Sequence, residues 1–306
     1  MSNAHDLFVG YNLSDGGTDG RGGGLYVSTD KGLTWDEIHK FTDPPVNGAV
    51  PSNPVLSVLV DQAVPNRAYA LVGNHKTGGV WPTDELDKGV KAGWTKLANP
   101  PRTEGHPWDI KILVDGTLVV SYSARRDEKG MTQSSGVFVS TDGGKTWADR
   151  TDPASASDMC YYTQDVIIDP RDAGQNTWYC CVDYVVFLPD AWPNAKTGVY
   201  KTTDRGLTWR RIFAQERVGA RSLAINPQTN EMYLATSKGL WYSNNSQEQS
   251  PSFTRVADVR YHAITRVFLN PYKSSEVWVV SFGGGVMWGD AHENPKTAAV
   301  AARPNR

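Results

Sequence analysis

Apolar and polar residues follow one another along this chain in short runs, and the runs recur in a fixed order. One kind is a brief apolar strand closed by Asp or Asn: Val58–Asp61, Ile112–Asp115, Val166–Asp169, Leu223–Asn226 and Val267–Asn270. The polar ends stand 54, 54, 57 and 44 residues apart. A second strand follows at Ala68–Val72, Thr117–Tyr122, Thr177–Val182, Glu231–Ala235 and Glu276–Val280, with Leu7–Tyr11 as an earlier copy. A third opens on Gly, an aliphatic residue and then an aromatic: Gly24-Leu25-Tyr26, Gly79-Val80-Trp81, Gly136-Val137-Phe138, Gly198-Val199-Tyr200 and Gly239-Leu240-Trp241. Gly285-Val286-Met287 is the loosest copy. A fourth strand starts at Trp35, Trp94, Trp147, Trp209 or Phe253. No helical periodicity competes with this pattern. Four short antiparallel strands in units of about 40–60 residues predict an all-β fold, a β-propeller. Six four-stranded blades are visible, with seven as the alternative count. The first lacks its innermost strand, and Thr297–Ala302 is the candidate last strand.

Between the third and fourth strands an eight-residue string repeats at 28–35, 140–147 and 202–209. A repeat of this kind means an array of one supersecondary unit. Its Ser or Thr (Ser28, Ser140, Thr202) and its Asp (Asp30, Asp142, Asp204) are turn formers, expected to accept backbone N–H groups one to three residues on. Gly32, Gly144 and Gly206 supply left-handed backbone. Trp35, Trp147 and Trp209 open the next strand as aromatic anchors. These residues read as scaffold, not as catalysts.

Composition narrows the function. The net charge is −2, with no block of like charges, which gives a nucleic-acid or membrane-surface role no electrostatic support. The sequence has no apolar run long enough to span a bilayer. The three cysteines, Cys160, Cys180 and Cys181, cannot make a disulfide framework. Adjacent Cys180 and Cys181 face opposite sides of a strand and read as small buried residues. No metal or cofactor site is expected, and Asp15 and Asp19 read as a turn rather than a calcium loop. Met1–Ala4 reads as a cloning remnant. Residues 5–306 are expected to be a single propeller, or one half of a tandem-propeller protein.

Sites on such scaffolds lie where the loops entering the inner strands meet those joining strands two and three. The repeated turns lie at the other end. Long loops concentrate function, and those at 12–23, 123–135 and 183–197 stand out. The middle one carries Arg125, Asp127 and Glu128. The segments entering the inner strands carry His106 and Trp108, Tyr161, Tyr162 and Gln164, Arg221, and Tyr261, His262 and Arg266. Of the eleven tryptophans, only Trp108 and Trp192 fall outside the repeat frame, and both fall on this face. Aromatic rings beside amides and charged groups suit a carbohydrate cleft, because sugar faces stack while hydroxyls need fixed polar partners. Glycoside cleavage needs two flanking carboxyl groups. Asp109, Asp165 and Asp183 are the candidates by position.

The three strings resemble the Asp-box (bacterial neuraminidase) repeat of sialidases, xyloglucanase-type glycoside hydrolases, sortilin-type receptors and photosystem assembly factors. The xyloglucanase-type family is the most similar: Asp115-Gly-Thr-Leu118, Ser121-Tyr-Ser123 and Trp147-Ala-Asp-Arg-Thr151 resemble one of its blades, and Ser281–Val286 a closing blade. That resemblance implies a secreted or extracytoplasmic propeller acting on a polysaccharide, with a second propeller as partner. The family's catalytic Asp-x-Gly-Gly-aromatic motifs are not found, so none of its catalytic residues is carried over. Alternative readings are a non-catalytic propeller binding protein or glycan, sortilin-like or assembly-factor-like, and a sialidase with Arg125, Arg221 and Arg266 as its arginine triad.

Overall fold

The computed structural model describes residues 7–11, 24–42, 53–73, 78–103, 105–123, 134–151, 162–183, 196–259 and 263–291, with 7–11 as backbone alone. They fall in two compact units, residues 1–149 and 150–306. In the first unit, β1 (Leu7–Tyr11), β2 (Gly24–Ser28) and β3 (Asp36–His39) form one sheet, and β4 (Val55–Val60), β5 (Ala68–Val72) and β6 (Gly79–Thr83) a second. The third sheet holds β7 (Pro107–Ile112), β8 (Leu118–Tyr122), β9 (Gly136–Ser140) and β10 (Ala148–Asp149).

The second unit has β11 (Tyr162–Ile168), β12 (Trp178–Asp183), β13 (Gly198–Thr202) and β14 (Arg210–Phe213) in one sheet. The next sheet holds β15 (Ala220–Ile225), β16 (Met232–Thr236), β17 (Gly239–Ser243) and β18 (Thr254–Arg255), and the last β19 (Ile264–Asn270), β20 (Lys273–Ser281) and β21 (Gly285–Asp290). Every paired neighbour is antiparallel and consecutive in the chain.

The expectation of six or seven four-stranded blades is therefore corrected: among the described residues three sheets have four strands and three have three. In the second sheet Trp94 opens no strand. The chain instead makes a short 3-10 segment at Leu86–Lys91, then returns two isolated ladder bonds, Thr95 N–H to the Pro82 carbonyl and Leu97 N–H to Val80. Met1–Ala4, Asp15, Asp19, Cys160 and Thr297–Ala302 lie outside the described residues.

Second strands explain the packing. β5, β8, β12 and β16 are buried at every position, on both faces of the pleat. Such a strand reads as a continuous apolar run and needs cover on each side. In the first unit one core joins Leu25, Ile38, Val55, Ala70 and Trp94, and another joins Tyr69, Leu71, Ile110, Val120 and Phe138. In the second unit Tyr179, Cys181, Val199, Leu223 and Leu234 form one core, and Tyr233, Leu240, Ile264, Val267 and Val279 the next. Each large side chain so buried contributes roughly 1.5–3 kcal/mol. The last sheet turns its other face outward. There Phe268, Trp278 and Trp288 form a stacked row across three strands in register, with ring centroids 6.1 and 6.4 Å apart.

Polar strand ends close on themselves. Asp61, Asp115, Asp169, Asn226 and Asn270 each accept the N–H two residues on, at 2.8–3.0 Å, so every inner strand ends in the same Asx turn.

The eight-residue turns are equally uniform. Ser28 Oγ accepts the Gly32 N–H at 2.7 Å and donates to Asp30 at 2.7 Å, while Asp30 accepts the Thr34 N–H at 2.9 Å and the Thr34 hydroxyl at 2.5 Å. Ser140–Asp142–Thr146 and Thr202–Asp204–Thr208 repeat these bonds. Their reach is four residues, longer than the one to three expected, because two consecutive left-handed residues (Lys31 and Gly32, Gly143 and Gly144, Arg205 and Gly206) curl the chain back over the carboxylate. Each fourth strand then pairs from the residue after the tryptophan. Trp147 and Trp209 donate their indole N–H to the Ala98 and Arg150 carbonyls, at 2.9 and 2.6 Å. Trp35 is 41% exposed.

The glycine that opens each third strand is a steric requirement. Gly24, Gly79, Gly136, Gly198 and Gly239 have φ between 112° and 153°, a range L side chains rarely adopt. A Cβ on Gly198 would in addition run into the Phe213 carbonyl of the neighbouring strand.

Two outcomes are expected. Gly198→Ala should cost about 3 kcal/mol in denaturant unfolding, combining a disfavoured φ with an overpacked contact. The Thr34 hydroxyl and N–H, then the Ser28 hydroxyl, hold Asp30 at about 2, and Asp142 is lowered in the same way. A depressed folded value contributes stability above the unfolded carboxylate range that is lost as pH falls through the folded value. Carboxyl NMR titration should therefore place the Asp30 midpoint near 2, rising toward 3.8 in Thr34→Ala.

Candidate functional site

Among the described residues, five inner strands carry an irregularity near their starts. The register breaks between Val55 and Ser57, Pro107 and Asp109, Thr163 and Val166, Ala220 and Ser222, and Ile264 and Arg266. A bulge frees its residue from the ladder and turns the side chain, a device found beside functional sites. The residues so freed include Trp108, Gln164, Asp165 and Arg221, all four of them site candidates from the sequence, and Arg266 follows the last break.

In the first unit, His106 sits just before the bulge with a left-handed φ of 64°, and its carbonyl accepts the Ser123 N–H at 2.9 Å. Trp108 is half-buried. Asp109 is buried; its N–H donates to Ser121 Oγ at 3.1 Å, and its carboxylate takes Lys111 Nζ at 2.7 and 2.6 Å.

In the second unit, Gln164 and Asp165 are both buried within the β11 bulge, and Asp165 pairs with Arg266 of β19. Asp183 ends β12 opposite Tyr162 and accepts Arg221 Nε at 2.8 Å, with side-chain exposures of only 5% and 10%. Cys181 lies close to both pairs: burial pushes its thiol well up, and Asp165 and Asp183 add to the rise. The thiol stays protonated there, in keeping with a buried packing role for Cys181. Cys180 and Cys181 are both buried.

The structure thus brings Asp165, Asp183, Arg221, Arg266, Gln164 and Tyr162 to the starts of β11, β15 and β19 and the end of β12. Tyr161, Arg125, Asp127, Glu128, Trp192, Tyr261 and His262 lie outside the described residues. Sequence reasoning missed the salt-bridge pairings, Asp165 with Arg266 and Asp183 with Arg221, which span 101 and 38 residues, and it missed Lys111 beside Asp109. Only the Lys111 spacing, two residues along one strand face, could have signalled its partner. Among the described residues no three His, Cys, Asp or Glu side chains group so as to hold a metal, and no helix is long and apolar enough to cross a membrane.

No family model matches the chain, and no curated protein matches it. Solved structures do. A protein from Lactobacillus plantarum aligns over 99% of this chain and 82% of its own, at 12% identity and a TM-score of 0.63. The Dos1 propeller aligns over 94% and 67%, at 11% identity and 0.60. The GH74 xyloglucanase from Xanthomonas campestris aligns over 88% and 41%, at 14% identity and 0.54. At such identities the likeness shows the fold alone: this chain is an all-β propeller. It spans 28%, 51% and 41% of the length of three GH74 structures it resembles.

Arg221→Ala would take the guanidinium away from the buried Asp183 carboxylate. A loss of about 3–5 kcal/mol in unfolding free energy is expected. Asp183→Asn, which removes the charge and keeps the shape, should cost less.

Proposed function

We propose that this chain is a carbohydrate-active propeller that holds a polysaccharide on the bulged ends of its inner strands, on the plan of the xyloglucanase-type glycoside hydrolases. The observation that supports it best is the bulging of inner strands in each unit. Two of them in the first unit and three in the second break register near their starts, releasing an aromatic ring in the first unit, and an amide with a carboxylate and a guanidinium in the second. A sugar polymer uses such a set, stacking on the ring and bonding its hydroxyls to the fixed polar groups. The fold shared with xyloglucanases agrees with this reading. The compartment that goes with it is extracytoplasmic, and the partner a second propeller facing the same cleft.

A second reading, glycan binding without cleavage, is favoured by one specific feature. Asp109, Asp165 and Asp183 are each engaged by a cationic side chain, Lys111, Arg266 and Arg221. A glycosidase needs one carboxyl that gives up a proton to the leaving group, and none of these three stands in surroundings suited to that role. The sialidase reading is weaker, since Arg221 and Arg266 are both held by aspartates.

Calorimetric titration with xyloglucan, mixed-linkage β-glucan and sialosides, alongside an assay for reducing-end release, tests the proposal. Binding of a β-glucan-class polymer is expected, weakened about tenfold by Trp108→Ala and also reduced by Gln164→Ala. Binding to none of these ligands, or binding unmoved by both substitutions, would overturn it. Cleavage that persists in Asp109→Ala, Asp165→Ala and Asp183→Ala would remove all three from catalysis.

A further inference from the structure

A second recess lies at the turn end of the β11–β14 sheet, far along the strands from the bulges. It is a groove of about 390 Å³ between β13–β14 and the segment after β17, walled by Lys201, Thr203, Trp209, Arg210, Gln247 and Gln249. Its charges are unbalanced. Lys201 lies over the Tyr179 ring, 5.4 Å from the centroid, and donates to the Ser246 carbonyl at 3.4 Å. Arg210 donates to the Ser250 hydroxyl. Both partners are neutral, and among the described residues neither cation has a carboxylate within 4.0 Å.

The nearby acidic groups are committed elsewhere. Asp169 takes Arg171 through two hydrogen bonds of 2.9 and 2.8 Å. Asp204 is turned into its own loop by Thr202 and Thr208. Glu248, between the two glutamines, is not part of the wall. Burial, with Arg171 and Arg210 adding to it against Asp169, pushes the Lys201 ammonium below its ordinary value. Holding the Ser246 segment does not require this excess of positive charge, because a neutral donor could meet the same carbonyl. Threonine hydroxyls and glutamine amides complete a wall suited to a hydroxyl-rich ligand.

We propose that this groove binds the oxyanion of an acidic glycan, a carboxylate, sulfate or phosphate seated between Lys201 and Arg210 with the sugar against Thr203, Gln247 and Gln249.

The test is calorimetric titration of the full chain with inorganic sulfate, inorganic phosphate, trigalacturonic acid, cellotriose and a triglutamate peptide, at low and at physiological salt. Trigalacturonic acid should bind in a way that salt weakens, whereas cellotriose, a ligand class assigned to the bulged face, should show no dependence on salt, Lys201 or Arg210. Lys201→Gln and Arg210→Gln should each weaken it about tenfold, the scale of one charge-assisted hydrogen bond. Arg210 is exposed, so its substitution keeps the fold even if Lys201→Gln loosens the Ser246 segment. Inorganic sulfate or phosphate binding with the same dependence on both residues supports the oxyanion seat and shows that a free anion fills it. Cellotriose binding that falls together with trigalacturonate binding in Arg210→Gln, tighter binding of triglutamate, or unchanged trigalacturonate affinity in Arg210→Gln would overturn the proposal. The bulged-face reading stands on polymer binding that depends on Trp108, and this groove on acidic-trisaccharide binding that depends on Arg210, so the two failures are distinguishable.

Discussion

Everything in this molecule depends on strands that must be covered on both faces. β5, β8, β12 and β16 have no solvent side, and a sheet built around such a strand cannot exist alone. Stacking sheet on sheet is the answer, with each repeat held by its neighbours. The cost falls on the backbone at the strand ends, where polar groups leave the ladder beside a dry core and must find partners. The Asx turns and the eight-residue turns meet that need locally, using only side chains within a few residues.

The two ends of each inner strand are consequently different. At the turn end, hydrogen bonds are satisfied in the same way from sheet to sheet, which leaves little room for variation. At the other end, the ladder is broken by a bulge, and the residue there changes from Trp to Gln and Asp to Arg. Regularity holds the fold, and irregularity varies the side chains it presents. The Asp165–Arg266 and Asp183–Arg221 pairs show how deep the irregular end reaches, since they tie charges from three sheets of one unit into a mostly buried cluster.

Much of this was legible from the chain. The glycines opening third strands mark the starts of β2, β6, β9, β13, β17 and β21 to the residue, because an unusual φ admits only glycine in most of them. Three of the fourth strands were placed one residue early, since Trp35, Trp147 and Trp209 belong to the turn by their backbone, and of the three Trp35 is exposed. The strand at Ile112–Asp115 ends at Ile112, leaving Val114 exposed, because apolar character alone does not show where pairing stops. At the candidate site, Asp165 and Asp183 were recognised but their arginine partners were not. Those contacts are made between sheets, and a sequence pattern that describes each sheet by itself carries no record of them. The bulges left no local mark either.

The row formed by Phe268, Trp278 and Trp288 bears on how the molecule can be observed. Two indoles stacked 6.4 Å apart and inclined by 27° couple their electronic transitions. The last sheet therefore carries a coupled-indole signature in the far ultraviolet, one that vanishes when β20 and β21 separate. The order of that sheet can be followed in solution without any label.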